Sequence, residues 1–453
     1  MTKDDWLRKG VDAHDKKDYV EAIRCYGEVL NVDFSDYQAL HFMGLAFMHQ
    51  GHHGLAATLM QASLARKPEQ SEVYSNLSIC YKKEYKLDIA EKLLLESIKI
   101  KPETEAFNNL SSINVNTGTP EKAIYYADEA LKLDPLNTDA KRNKSFALLE
   151  MERWAEGWDL HDHRLHKDGA MDRTFTREGQ TPFWDGSPGK TVVVYGEQGI
   201  GDEMMYASMI PDLIKVCKKV IFECHPRLVD IYKRSFPGLI IYPTRKDVAI
   251  YWPSDHKIDA KIAIGSLGKF FRRNASDFPG TPYLKAEKSL AKIHGKKKIG
   301  IAWAGGIKET WANQRSVPLE LFAPILKGDA DYYSLQYTDS SPKEVCAMEE
   351  KTGIRVRHYP SYVQCKNYDV TASLIAQMDL VISVCTTVVH MAGSLGVPCI
   401  CLVPNTPAWR YGLTRDRMIW YNSVELFRQK DSWEEVIERV NQRVLQGIEQ
   451  KVA

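Results

Sequence analysis

The 453-residue chain balances 60 lysines and arginines against 59 acidic residues, so it has no overall positive field for holding a polyphosphate, and nucleic acid is excluded as a partner. At 44% hydrophobic content it is too long for one compact core, which predicts two or three domains. No apolar run of about 18 residues is present, Met1 to Asp5 opens no signal peptide, and the nine cysteines sit mostly in apolar periodic segments. These features predict a cytoplasmic chain of reduced thiols without integral membrane contact.

In the first third, Pro68, Pro102 and Pro135 close similar apolar patterns at intervals of about 34 residues. Met43-Gly44, Phe47, Gly51, Ala56, Met60 and Ser63 recur in kind as Leu77-Ser78, Tyr81, Ala90, Leu94 and Ser97, then as Leu110-Ser111, Gly118, Ala123, Ala127 and Ala130. The pattern resembles the tetratricopeptide (TPR) repeat, in which paired helices leave an apolar face that only a neighbouring pair can bury, and the stack leaves a groove. A weaker first repeat uses Gly10, Tyr19, Ala22 and Tyr26, and a degenerate fifth runs through Ala147, Trp154 and Trp158. The predicted solenoid spans 1–168 with four to five hairpins, and His161, His163 and His166 read as its solvated end.

A turn-rich linker over 169–190 carries the aromatic pair Phe183 and Trp184. Beyond it, short β-branched runs alternate with helical segments: 191–195, 220–223, 239–242, 298–303, 332–335, 380–384 and 397–402. That alternation predicts α/β layers with parallel sheets. The charged stretch 283–298 divides them into two Rossmann-like lobes, 191–290 and 291–430, and 431–453 is a closing helix.

Three loops between strand and helix carry the chemistry. The first, Gly196-Glu197-Gln198-Gly199-Ile200-Gly201-Asp202-Glu203, lets backbone approach a ligand through Gly199 and Gly201. Its carboxylates Asp202 and Glu197 are candidate general bases, and Asp202 equally fits a helix cap. The spacing is not the GxGxxG of dinucleotide binders, so a dehydrogenase is not implied. In the second loop, glycines with Lys308 and Arg315 suit a diphosphate, whose developing charge on departure these cations neutralise. In the third, Thr386 and Thr387 start a helix whose free amides favour phosphate, with His390 one turn on, unless His390 is a core residue. Asp329-Ala330-Asp331 spells a metal-binding DxD but sits in an acidic turn, and no metal is expected.

Together with Trp184-Asp185-Gly186, Arg315 to Leu319, Ser334-Leu335-Gln336 and Trp409-Arg410, these loops resemble glycosyltransferase family 9, the heptosyltransferase-like proteins, and their TPR-fused bacterial relatives. The resemblance covers about 180–425 and implies a GT-B fold with the acceptor on the first lobe and the nucleotide sugar on the second. It also implies inversion without a metal or cofactor. Asp202 matches the family's proposed base, Lys308 or Arg315 the phosphate-binding cation, and Gln336, Thr386, Thr387 and His390 fall in the donor lobe. Cys385 stands where relatives carry an aspartate, a departure that bears on donor binding. Two functions follow as expectations. One is a glycosyltransferase, hexosyl- or heptosyl-transferring, acting on a nucleotide sugar whose UDP, GDP or ADP moiety stays open and on a hydroxyl of a protein or glycan. The other is a TPR scaffold with a degenerate nucleotide- or sugar-binding domain. In either, the TPR groove suits a peptide or protein partner.

Overall fold

The computed structural model describes residues 1–166, 181–244, 256–295, 297–306 and 314–449. The chain divides into two compact units, Met1–Leu148 and Leu149–Ala453.

In the first unit, antiparallel helical hairpins follow one another: α1 (Lys3–Asp15) with α2 (Tyr19–Val32), α3 (Tyr37–His49) with α4 (His53–Arg66), α5 (Ser71–Lys83) with α6 (Leu87–Ile100), and α7 (Thr104–Asn116) with α8 (Pro120–Leu133). α9 (Thr138–Glu150) succeeds them. Small residues permit the close crossings. Ala22, Ala56, Ala90 and Ala123, one per hairpin, are fully buried. Buried serines satisfy their hydroxyls on backbone carbonyls, Ser63 on Tyr37 at 2.7 Å, Ser97 on Ser71 at 2.8 Å and Ser111 on Ala123 at 2.8 Å, so these hydrogen bonds offset the cost of taking the hydroxyls out of water.

Each hairpin turns on one residue in the left-handed region. Lys17, Gly51, Tyr85 and Gly118 have φ of 62°, 84°, 63° and 67°, a recurrence of about 34 residues. Two of the four are not glycine, a conformation that L-residues adopt rarely.

The second unit begins before the expected linker. α10 (Trp154–His161) buries Trp158, whose Nε1 donates to the Arg272 carbonyl at 2.8 Å. His161, expected in solvent, packs edge-on against Trp158 and Trp409, with burial holding its pKa well below the ordinary value. The helical period continues through this segment, but its apolar face serves the α/β core. Residues 167–180 of the expected linker lie outside the described residues. After them, Trp184 is buried on Phe270 at 4.7 Å while Phe183 is exposed.

Two parallel sheets follow. β1 (Thr191–Tyr195), β2 (Lys219–Cys224), β3 (Ile240–Pro243) and β4 (Ala260–Ala263) form the first, in order β3-β2-β1-β4. β5 (Lys298–Ala302), β6 (Asp331–Ser334), β7 (Val356–Arg357), β8 (Leu380–Val384), β9 (Cys399–Val403) and β10 (Val424–Arg428) form the second, in order β10-β9-β8-β5-β6-β7. Every residue of β1 and β9 is buried, as expected of strands covered on both faces. β4, β7 and β10 were not visible in the pattern: β4 carries Lys261, β7 is two residues long, and β10 alternates with Glu425 and Arg428.

The covering helices in chain order are α11 (Ile200–Ala207), α12 (Ile210–Val216), α13 (Val229–Ser235), α14 (Gly268–Phe271), α15 (Ser341–Thr352), α16 (Pro360–Val363), α17 (Tyr368–Ile375), α18 (Thr387–Leu395) and α19 (Trp433–Glu449). Among the described residues, no helix is long and apolar enough to cross a membrane. The segment joining the two lobes runs beside α18, with the Tyr283 and Leu284 amides both 3.0 Å from the Ser394 carbonyl. The Tyr283 hydroxyl reaches the Met204 carbonyl on α11 at 2.6 Å.

A methyl group at Gly10 would lie 2.5 Å from the Tyr26 ring, whereas one at Gly27 meets nothing within 4 Å. We expect Gly10→Ala to destabilise the protein by about 1–3 kcal/mol and Gly27→Ala to stabilise it by about 0.5–1 kcal/mol, each read from thermal unfolding.

Candidate functional site

In an open parallel sheet, ligands bind beyond the carboxyl ends of the strands, where the strand order reverses. The reversals fall between β1 and β4 in the first sheet and between β5 and β8 in the second. The loops leaving β1, β5 and β8 carry the sequence-predicted residues other than Gln336, which follows β6.

The loop after β1 turns sharply, with exposed Gln198 at φ 61°. Strain of this kind collects at functional sites. Gly199 caps α11, and Asp202 Oδ2 accepts its amide at 3.3 Å. Asp202 thus caps the helix as one reading held, and its other oxygen does something further. Oδ1 accepts a charge-assisted hydrogen bond from Arg410 Nη2, on the loop following β9 in the other lobe. The two side chains are 19% and 16% exposed, so the pair lies near solvent rather than in the core.

α11 and α18 meet at Gly201. A methyl there would stand 3.0 Å from His390 Cδ2 and 3.5 Å from the Thr387 Cα, so the lobes approach at a point where only glycine fits without a shift. Thr386 is the N-cap of α18, its Oγ1 accepting the Val388 amide at 3.2 Å and meeting Ser383 Oγ at 3.2 Å. His390 is buried, with Nδ1 3.2 Å from the Tyr421 hydroxyl. Burial, then the charge of Arg410, lowers its pKa to about 3 against the opposing pull of Asp202. It is a neutral ring in the wall between the lobes.

Arg315 is half-buried, just before Val317, whose amide donates to the Trp303 carbonyl at 2.8 Å. Burial lifts the Tyr411 hydroxyl well above its ordinary pKa, with Cys385 and Cys401 adding to the rise, while Arg410 and Arg315 both act to lower it. The Tyr411 hydroxyl therefore feels the positive charge of two guanidiniums from separate loops. Lys308 lies outside the described residues.

Two predicted site residues have other work. Glu197 is buried and accepts from Arg164 Nε at 2.8 Å and from the Gly265 amide at 2.8 Å, with a second, short bond from Arg164 Nη2 to Oε1. A carboxylate so enclosed and paired is not placed to take a proton from a substrate, and the pair instead fixes residues 161–166 to the β1 loop through Arg164 Nη1 and the His161 carbonyl at 2.8 Å. Gln336, fully buried, accepts the Trp303 and Ala304 amides at 3.0 Å and donates to the Ala304 carbonyl at 2.8 Å, so it clamps the end of β5 instead of meeting a ligand. Asp331 of the DxD pairs with Arg357 at 2.6 Å. Cys385 is buried with Sγ 3.7 Å from Cys401 Sγ.

The sequence assigned no role to Arg410 or Arg164. Arg410 entered only within the Trp409-Arg410 pair of the resemblance, and only the fold brings it to Asp202. Arg164 sits in the histidine run that read as a solvated helix end.

The tetratricopeptide repeat family matches residues 104–135, the α7 to α8 hairpin. The N-terminal region is a tetratricopeptide repeat solenoid. Proteins of this class commonly bind peptide or protein partners. Similar solved structures include MamA, at 21% identity over 36% of this chain and 86% of its own, with a TM-score of 0.31. TTC0263, a thermophilic TPR protein of Thermus thermophilus, is 19% identical over 37% of this chain and 92% of its own, with a TM-score of 0.31. YrrB, described as a TPR protein with an unusual peptide-binding site, is 16% identical over 36% of this chain and 85% of its own, with a TM-score of 0.32. Protein FlbA of Caulobacter vibrioides is 25% identical over 450 residues, covering 85% of this chain and 74% of FlbA. That likeness extends past the TPR unit into the α/β unit.

Glu197→Gln leaves the Arg164 charge buried without its partner and is expected to cost about 3–5 kcal/mol in urea unfolding. The folded pKa of His390, about 3, lies below its ordinary 6.5. The unfolded chain therefore takes up a proton in that window that the folded chain refuses, so stability is complete above 6.5 and declines as the pH falls toward 3. Unfolding free energies from urea titrations between about pH 7 and about pH 5 are expected to fall less steeply in His390→Asn than in the parent, by up to about 1.4 kcal/mol per pH unit.

Proposed function

We propose that the α/β unit is an inverting, metal-independent glycosyltransferase of GT-B type. The observation that carries the reading is Asp202, presented by the β1 loop of one lobe directly to Arg410 of the other, at the reversal points of two parallel sheets. Asp202 is the general base that takes the proton of the acceptor hydroxyl as that oxygen attacks the anomeric carbon. Arg410, Arg315 and Lys308 with the amides at the start of α18 hold the nucleoside diphosphate and stabilise the charge that develops on it as the glycosidic bond breaks. His390, held neutral by burial, adds no charge to that pocket. The tetratricopeptide repeats supply a groove for an extended peptide, which makes a protein side-chain hydroxyl the acceptor this architecture favours.

Cys385 supports a second reading. A buried thiol, where relatives of the resembled family carry an aspartate, offers a nucleotide only a weak polar group. In that case the α/β unit binds the nucleotide sugar without turning it over, and the repeats do the work of assembly.

Incubation of the full chain with UDP-, GDP- and ADP-sugars is expected to release nucleoside diphosphate from one of them. Asp202→Asn is expected to lower that rate by about 10²- to 10⁴-fold, the usual contribution of a positioned base, without loss of donor affinity. Absence of release from every donor, with a diphosphate still bound, would favour the second reading.

A further inference from the structure

Both carboxylate oxygens of Asp202 already have partners in this structure. Oδ2 accepts the Gly199 amide at 3.3 Å and Oδ1 accepts from Arg410 Nη2, so a reacting hydroxyl would have to share the carboxylate with a guanidinium at the interface of the lobes. Arg410 is engaged only in part. Its Nε is buried and, among the described residues, has no hydrogen-bond partner, a condition that points to a missing acceptor. Its loop is held independently of Asp202, because Arg428 donates to the carbonyls of Gly412 at 2.9 Å and Tyr411 at 2.7 Å.

We infer that Arg410 is a donor-sensing residue that exchanges partners: the diphosphate of the nucleotide sugar takes over its guanidinium, and Asp202 is released to act as the base. The inference rests on the transferase reading above. A phosphate presents two oxygens at the spacing of a guanidinium edge, so it can occupy Nε and Nη2 together, whereas the Asp202 carboxylate meets Nη2 alone. Partial exposure of both partners lets water cover each charge during the exchange. The exchange is local. Arg234 stays paired with Asp369 at 2.8 and 2.6 Å, and Asn367 with Asp230 at 2.8 Å, so other contacts between the lobes persist. Since the diphosphate and Asp202 compete for one group, each weakens the other's hold on it by the same factor. The order of events follows: the base becomes available only after the donor has arrived.

Calorimetric titration of UDP, GDP, ADP and inorganic pyrophosphate into the parent, Asp202→Asn, Arg410→Gln and the double variant tests the exchange. Asp202→Asn is expected to tighten the best-bound diphosphate by at least about five-fold in the parent background, the lower end of ordinary coupling. That gain is expected to vanish when Arg410→Gln is also present, since the cycle isolates the pair. An equal gain in both backgrounds would mean that Asp202 merely repels phosphate; it would overturn the exchange and leave the transferase reading standing. If Arg410→Gln does not fold, Arg410→Lys replaces it in the cycle, and the gain is expected to shrink because an ammonium lacks the two-toothed edge. Failure of every folded variant to bind any of the probes would remove the exchange and the transferase reading together.

Discussion

The crossing of α11 and α18 is the constraint on which the site depends. At Gly201 the two helices come so close that His390 and Thr387 fill the space a side chain would need. This single approach sets the distance between the loop after β1 and the loop after β8, and with it the reach from Asp202 to the second lobe. Apolar packing surrounds it: Met204 and Met205 of α11 share one buried cluster with Val388, Val389 and Met391 of α18. Burial of this kind is non-directional. The polar bonds of Tyr283 and Ser394 add the direction, because each fixes one helix to the segment that joins the lobes.

Charged groups divide into two kinds around this crossing. Arg164 and Glu197 are enclosed and mutually satisfied, and they serve as a fixed joint between residues 161–166 and the first sheet. Asp202 and Arg410 are opposite in charge and joined by a hydrogen bond, but both side chains remain partly exposed. A buried pair is costly to break, whereas a pair at the rim can change partners. The difference in exposure separates the enclosed carboxylate from the partly exposed one, although both belong to a single eight-residue segment.

Much of the fold was legible because its signals are local. Alanines and serines at repeat spacing mark helix crossings, and unbroken β-branched runs such as Thr191–Tyr195 mark strands buried on both faces. β7 and β10 were not legible, since short or charged edge strands satisfy the sheet through backbone bonds that no side-chain pattern reports. At the site, residue types were legible and roles were not. Glu197 and Asp202 stand five residues apart with the same functional group, and only the position of Arg164 and Arg410, brought from distant segments, tells them apart. Likewise Gln336 was placed among the donor-side residues through the family resemblance, but its amide matches the backbone spacing of Trp303 and Ala304 and is consumed there.

A left-handed residue follows the first helix of each repeat, and its place is set by the backbone: lysine and tyrosine stand there in two hairpins and glycine in the other two. The non-glycine bends carry the steric strain of a Cβ at positive φ, which the packing of the hairpin sustains. Hairpins of different sequence therefore keep one shape, and each offers the next an equivalent face to stack on.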